Sequence, residues 1–157
     1  EIVGHVTKRM QTQSDRHKIV YSFEKDFPVI YGDADRIEQV LLNLISNAIK
    51  YAPGGEISIA GVRSGDFVKI SVQDEGPGIA PEAFSHIFER FFRSKRSANK
   101  ANGVGLGLYL SNAIIEGHGG RIWAENRSDR KGAIFSFTLP LDPDDYPAAL
   151  KFRNIGG

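Results

Sequence analysis

The chain has no cysteine, one methionine and one tryptophan in 157 residues. Without a thiol there is no disulfide framework, no thiolate metal cluster and no cysteine nucleophile, a composition that suits a reducing compartment. The four histidines are scattered and do not read as a metal site. Charge of either sign is not in excess: 20 Lys and Arg against 19 Asp and Glu leave +1, so the overall balance gives no reason to expect a nucleic acid or an anionic membrane as partner. No run approaches the roughly 18 apolar residues of a membrane span. The opening Glu1-Ile2-Val3-Gly4-His5 has neither the basic start nor the apolar stretch of a signal peptide. A chain that begins on Glu1 is expected to be a piece of a larger protein. Its length suits one domain with a single core, burying roughly 70% of the unfolded surface.

Glycine, by contrast, is plentiful. The 17 glycines cluster at 54–55, 76–78, 103–107 and 117–120. Between these clusters the periodicity changes. Residues 1–14 carry little signal and read as a linker or the end of a preceding helix. His17 to Phe23 alternates, and Val29-Ile30-Tyr31 answers it as the second strand of a pair. Ile37, Val40, Leu41, Leu44, Ile45 and Ala48 then share one helical face, with Asp33 or Asp35 as N-cap and Pro53-Gly54-Gly55 as the stop. Strands are expected at 56–62 and 67–72, and a short helix over 82–87 behind Pro81. A basic loop over 90–103 precedes a second amphipathic helix from Leu106 to about Gly117. Strands at 121–125 and 133–139 complete the domain, which spans 15–141, with a tail over 142–157. Hairpins outnumber βαβ units, so the expected fold is α+β: a two-layer sandwich with a mixed, mostly antiparallel sheet covered on one face by helices.

Four constellations carry chemistry. Asn43, Asn47 and Lys50 form a polar stripe beside the apolar face of the first amphipathic helix, with Tyr51 on the border. A solvated helix face is the plain reading; amide oxygens and an ammonium at one edge also suit a hydrated divalent cation and phosphate oxygens. Val68, Ile70 and Val72 share a strand face, and Asp74 continues it, aiming a carboxylate at the core. Such a group needs a donor, from protein or from ligand. The turn Gly76-Pro77-Gly78 directly after it permits close approach of a flat ligand to the backbone. Gly103-Val104-Gly105-Leu106-Gly107-Leu108 opens a helix and offers backbone N–H groups to an anion; it lacks the Lys-Ser/Thr of a P-loop and does not follow a strand. Finally, Ile87-Phe88-Glu89-Arg90-Phe91-Phe92-Arg93 interleaves aromatic and basic residues, as a nucleic-acid site, a hydrophobic anchor or a cationic lid would. Each motif alone is common in ordinary structure; their combination in this order is specific.

Together they resemble the ATP-binding catalytic domain of two-component sensor histidine kinases, members of the superfamily that includes DNA gyrase, a heat-shock chaperone and a mismatch-repair ATPase. Gln39 to Tyr51 is similar to the N box, Asp74 to Ile79 to the first glycine box, Phe88 to Arg93 to the F box, and Gly103 to Leu108 to the second glycine box. Gly117 to Gly120 and Phe135 to Pro140 also look typical of the family, and the resemblance covers roughly 17–141. It implies a Bergerat-type fold that binds ATP and Mg²⁺. By that likeness Asn47 would hold the metal, with Asn43 beside it touching metal or phosphate. Lys50 would meet the phosphates and Tyr51 the nucleoside. Asp74 would accept from the adenine amino group, Gly76, Gly78 and Ile79 would frame the base, and Phe91 would belong to the lid over the nucleotide. Arg93 would reach the terminal phosphates, joined by Arg90 and Lys95. Gly103, Gly105, Leu106, Gly107 and Leu108 would cradle the polyphosphate.

The implied activity is transfer of the γ-phosphoryl group to a histidine on a separate dimerisation domain, with a response regulator downstream and no nucleic acid. The isolated domain would be a cytoplasmic monomer and its parent a homodimer, with or without a membrane anchor. ATPase relatives carry a water-activating glutamate where this chain has Asn43, and an amide is no general base, so slow hydrolysis is expected. Val104 departs from the Thr frequent in the family. None of His5, His17, His86 and His118 fits the family's phosphoacceptor pattern. A related ATPase or serine kinase, and an interaction module without nucleotide, remain as alternatives.

Overall fold

The computed structural model describes residues 1–92 and 106–142. Arg93, Lys95, Gly103, Val104 and Gly105 lie outside the described residues, as does the tail beyond Asp142. In chain order the elements are α1 (Ile2–Gln11), β1 (His17–Phe23), α2 (Ala34–Tyr51), β2 (Gly55–Ser64), β3 (Phe67–Gln73), a 3₁₀ turn (Pro81–Ala83), α3 (Gly107–Gly117), β4 (Ile122–Asn126) and β5 (Ala133–Pro140). The strands form one sheet in the order β1-β2-β3-β5-β4, with β1 parallel to β2 and every other pair antiparallel. This is the expected two-layer α+β sandwich with a mixed sheet.

Two periodicities build the core. Ile57 and Ile59 of β2, Val68, Ile70 and Val72 of β3, and Phe135, Phe137 and Leu139 of β5 all point to the helical layer and are buried. From above, α2 answers with Ile37, Val40, Leu41, Leu44, Ile45 and Ala48, and all of these residues join one cluster. Asp33 caps α2 by accepting the Arg36 N–H at 3.4 Å.

Two local expectations are overturned. Val29-Ile30-Tyr31 is not a strand: it is short, follows Pro28 and leaves Val29 more than half exposed. The partner of β1 is β2, in a parallel register running from His17 opposite Gly55 to Phe23 opposite Gly61. Seven successive pairings with a long strand outweigh what three residues offer. The expected helix over 82–87 is a single 3₁₀ turn followed by further turns. The Ala83 carbonyl accepts from both His86 and Ile87, Phe88 turns in to meet Phe135 edge-on at 6.4 Å, and Phe91 takes the left-handed conformation at φ 62°. A helix cannot pass through that residue.

The N-terminal helix contributes to the same core. Val6 and Met10 of α1 are buried within the central cluster. The Gln11 amide fastens α1 to the edge of β1: Nε2 donates to the carbonyls of Ser14 at 3.1 Å and His17 at 2.8 Å, and Oε1 accepts the Ile19 N–H at 2.8 Å.

Buried histidines hold both ends of α2. At the start, His118 Nε2 accepts the Asp33 N–H at 3.1 Å, which leaves Nδ1 to donate to the Ile114 carbonyl at 2.7 Å. At the end, His17 Nε2 donates to the Ala52 carbonyl at 2.9 Å while Nδ1 meets the Ser14 hydroxyl at 2.5 Å. His118 therefore carries its proton on Nδ1, and His17 donates from Nε2.

Because Met10 is 3% exposed, Met10→Ala is expected to cost about 2–5 kcal/mol, as Leu44→Ala would. Urea unfolding of both variants checks this. A loss below about 0.5 kcal/mol for Met10→Ala, the range of ordinary surface changes, would mean that α1 does not fold with the sandwich.

Candidate functional site

Four strand ends meet at one end of the sheet. Gly55 at the start of β2, Gln73 at the end of β3, Ala133 at the start of β5 and Asn126 at the end of β4 are linked by the register of successive pairs, and Asp74 follows directly on β3. Strand alternation carries Asp74 toward the core, and its side chain is 7% exposed. Desolvation raises its carboxyl above the ordinary value of 3.8, opposed by hydrogen bonds from the Gly76 and Ala133 N–H groups and by the charges of Arg127 and His17. Both hydrogen bonds fall on one oxygen: Oδ1 accepts from Gly76 at 2.9 Å and from Ala133 at 3.2 Å. Oδ2 has no hydrogen-bond partner among the described residues.

The segment after Asp74 is shaped by close approaches. A side chain on Gly76 would come within 3.0 Å of Ala52 Cα, so the first glycine cluster lies against the end of α2. Gly78 sits at φ +81°, where an L side chain is strained, and a Cβ there would stand 2.7 Å from Asn126 Oδ1. Asn126 pairs with the backbone of Ile79 on both sides, accepting its N–H at 2.7 Å and donating to its carbonyl at 2.9 Å. The guanidinium of Arg127 donates to the Asp74 carbonyl at 3.2 Å, and its Nη2 donates at 2.9 Å to the Gln73 amide oxygen, in the amide orientation that the hydrogen-bond network assigns.

Along α2 the stripe read from the sequence is present. Asn43, Asn47 and Tyr51 are half-buried and Lys50 is exposed. Asn43 points at the start of α3: its Nδ2 donates to the Gly107 carbonyl and to Ser111 Oγ, both at 3.3 Å. Neither the Asn47 amide nor the Lys50 ammonium has a polar partner among the described residues. The first turn of α3 has no side-chain cap on its N–H groups. Leu106 and Leu108 are half-buried there, Gly107 is exposed, and Leu108 packs on the core. Such a helix start presents unpaired donors to an anion. Phe91 is exposed, with the Arg90 guanidinium 5.0 Å from its ring and 5.9 Å from the ring of Tyr109 on α3.

The α2 helix thus joins two regions. Just past its end, Ala52 meets Gly76 of the Asp74–Ile79 segment; two turns earlier, Asn43 meets the start of α3. Asn126, Arg127 and Gly132 also shape the site but carry no motif, lying in a turn whose sequence Asn126-Arg127-Ser128-Asp129-Arg130-Lys131-Gly132 reads only as a polar connection. A carboxylate aimed inward without a visible donor was the one cue that a neighbouring loop must supply one.

Known proteins share this fold. Residues 32–143 match the family described as histidine kinase-, DNA gyrase B-, and HSP90-like ATPase. The adaptive-response sensory kinase SasA of Trichormus variabilis is 43% identical over 145 residues, covering 91% of this chain and 35% of the relative. The chain therefore spans about a third of the length of the curated relatives it matches. The nucleotide-free catalytic domain of histidine kinase ThkA superposes with a TM-score of 0.80 at 32% identity, covering 92% of this chain and 93% of that domain. ThkA in complex with the response regulator TrrA gives 0.74 at 29% identity, covering 91% and 40%. Full-length ShkA in complex with AMPPNP gives 0.78 at 29% identity, covering 88% and 29%. Among the described residues no helix is long and apolar enough to cross a membrane. This chain belongs to the histidine kinase-, DNA gyrase B- and HSP90-like ATPase family, as the ATP-binding domain of a sensor histidine kinase.

Proposed function

We propose that the domain binds Mg-ATP with its adenine at Asp74 and its triphosphate running along α2 toward the start of α3, and presents the γ-phosphoryl group to a histidine of a separate dimerisation domain. The observation that carries this reading is the divided carboxylate of Asp74. Oδ1 is occupied by two backbone donors, and Oδ2 is left to accept from a ligand. An exocyclic amino group is such a donor, and the glycines at 76 and 78 leave room for a flat ring beside it.

Asn47 suits Mg²⁺ because a half-buried amide without a polar partner among the described residues offers one neutral oxygen. Among the described residues no cluster of three or more His, Asp or Glu could hold a metal alone, so water and phosphate oxygens would complete the shell. When bound, the ion neutralises charge on the phosphates. Lys50 adds a cation at the next turn, Tyr51 borders the nucleoside, and the N–H groups at Leu106, Gly107 and Leu108 receive phosphate oxygens. By the same reading Arg93, Gly103 and Gly105 complete the lid and cradle, with Phe91 and Arg90 at the hinge of the lid.

In the transfer, a ring nitrogen of the acceptor histidine bonds to the γ-phosphorus as the bond to the bridging oxygen breaks, and ADP leaves. The domain contributes position and charge, which is most of what phosphoryl transfer requires. Asn43 disfavours the ATPase alternative, since its Nδ2 is engaged with Gly107 and Ser111 and an amide cannot take a proton from water. The ThkA complex with the response regulator TrrA supports a parent that works with a response regulator; in the same reading that parent is a homodimer and this domain is cytoplasmic.

Asp74→Asn separates fold from recognition. The Asn oxygen can keep both backbone bonds, while its amino group faces the ligand donor, so calorimetry is expected to show ATP binding weakened roughly 10- to 100-fold. Retained tight binding would remove Asp74 from base recognition. The same variant has a pH signature without ligand. A raised carboxyl contributes stability below the ordinary carboxylate range and loses it as pH rises through the native value. Asn pays no such penalty, so Asp74→Asn should match the wild type near pH 3 and be relatively more stable near pH 7, as thermal melts will read. For Asn47→Ala, the Mg²⁺ dependence of ATP affinity is expected to disappear; an unchanged metal requirement would place the ion elsewhere.

A further inference from the structure

The 74–79 segment is held from behind by two consecutive side chains at the end of β4. Asn126 satisfies both the N–H and the carbonyl of Ile79, which belong to the two peptide units flanking its Cα, so the residue is held from both sides. Its oxygen also stands 2.7 Å from where a Cβ on Gly78 would fall, so the contact and the positive φ both call for glycine there. Arg127 fixes the other end. Its side chain is 6% exposed, donates to the Asp74 carbonyl, and is paired with Asp129 at 3.2 Å. Neither residue hydrogen-bonds the Asp74 carboxylate; each grips the backbone on either side of the groups that would touch a base. Gly132 completes the brace, since a Cβ there would collide with the Asp74 carbonyl.

From this geometry we infer that Asn126 and Arg127 are positioning residues for purine selection, setting where Asp74 Oδ2 and the Ile79 peptide stand relative to the ring. The inference rests on the proposed role of Asp74 in base recognition. A hydrogen bond to one exocyclic group distinguishes a 6-amino from a 6-oxo purine only while the acceptor stays in place. Displacement of about 1 Å is enough to lose most of such a preference. Among the described residues, the hydrogen bonds and ion pairs of Asn126 and Arg127 reach neither α2 nor the start of α3.

The test titrates the wild type, Asn126→Ala, Asn126→Asp and Arg127→Lys with Mg-ATP, Mg-GTP and Mg-tripolyphosphate, with a thermal melt of each. Asn126→Ala is expected to weaken ATP about tenfold, to shrink the ATP-to-GTP ratio by a similar factor and to leave tripolyphosphate affinity unchanged. Asn126→Asp keeps the acceptor for the Ile79 N–H and loses the donor to its carbonyl, so it should fall between wild type and Asn126→Ala. Arg127→Lys keeps the charge but not the forked contact to Asp74 and Gln73, and should also reduce the ratio. A wild type that prefers ATP, with the ratio unchanged in all three folded variants, would overturn this inference alone. A wild type with no preference would overturn the base-recognition reading and this inference with it. Equal losses for ATP, GTP and tripolyphosphate would show general loosening of the domain and likewise reject a role in purine selection.

Discussion

A carboxylate buried at the end of a strand is unfavourable until something satisfies it, and the architecture around Asp74 follows from that requirement. The first oxygen is satisfied by backbone: the chain must turn back sharply to offer the Gly76 N–H, and β5 must begin where Ala133 can offer its own. Both conditions restrict the adjacent loops. Gly76 must lie against Ala52, and Gly132 must pass the Asp74 carbonyl closely enough that no side chain fits. The positive charge of Arg127 then stands behind the strand end instead of on the carboxylate. That placement tempers the desolvation without occupying Oδ2. A direct salt bridge to that oxygen would have left nothing for a ligand.

The second organising element is α2, which carries the candidate groups for both halves of a nucleotide. A helix of 18 residues can slide or rotate against a sheet unless its ends are fixed. Here His118 takes the Asp33 N–H at the start and His17 gives its proton to the Ala52 carbonyl at the end. In between, Asn43 ties the helix to α3. The chain thus uses buried polar contacts where only one geometry satisfies them, while the apolar residues beneath supply the bulk of the burial without fixing register.

How legible this was in the sequence depends on whether a feature is written in periodicity or in tertiary contact. The apolar face of α2, the alternation of β3 and β5, and the inward aim of Asp74 follow from spacing within one element, and all three are present. Parallel pairing of β1 with β2 could not be read, because a parallel partner lies beyond an intervening helix and Val29-Ile30-Tyr31 offered a nearer candidate. The short helix expected at 82–87 is replaced by a 3₁₀ turn and further turns, and Phe88 directly after it is drawn in to Phe135 by a contact that no period announces. Asn126 and Arg127 were invisible for a related reason: in a polar turn between strands, their task is defined by what lies across the sheet end.

The sheet also has a polarity that bears on how the domain can be joined to other things. Gly55, Asp74, Ala133 and Asn126 gather at one end, where β1 also begins at His17, directly after α1. The last strand leaves at Pro140, paired with Phe67 at the opposite end. The His17 imidazole links the segment after α1 to Ala52, and Gly76 lies directly behind. The two junctions are therefore unequal: the N-terminal one enters beside the pocket, and the C-terminal one leaves from the opposite end of the sheet, a full strand away from Ala133.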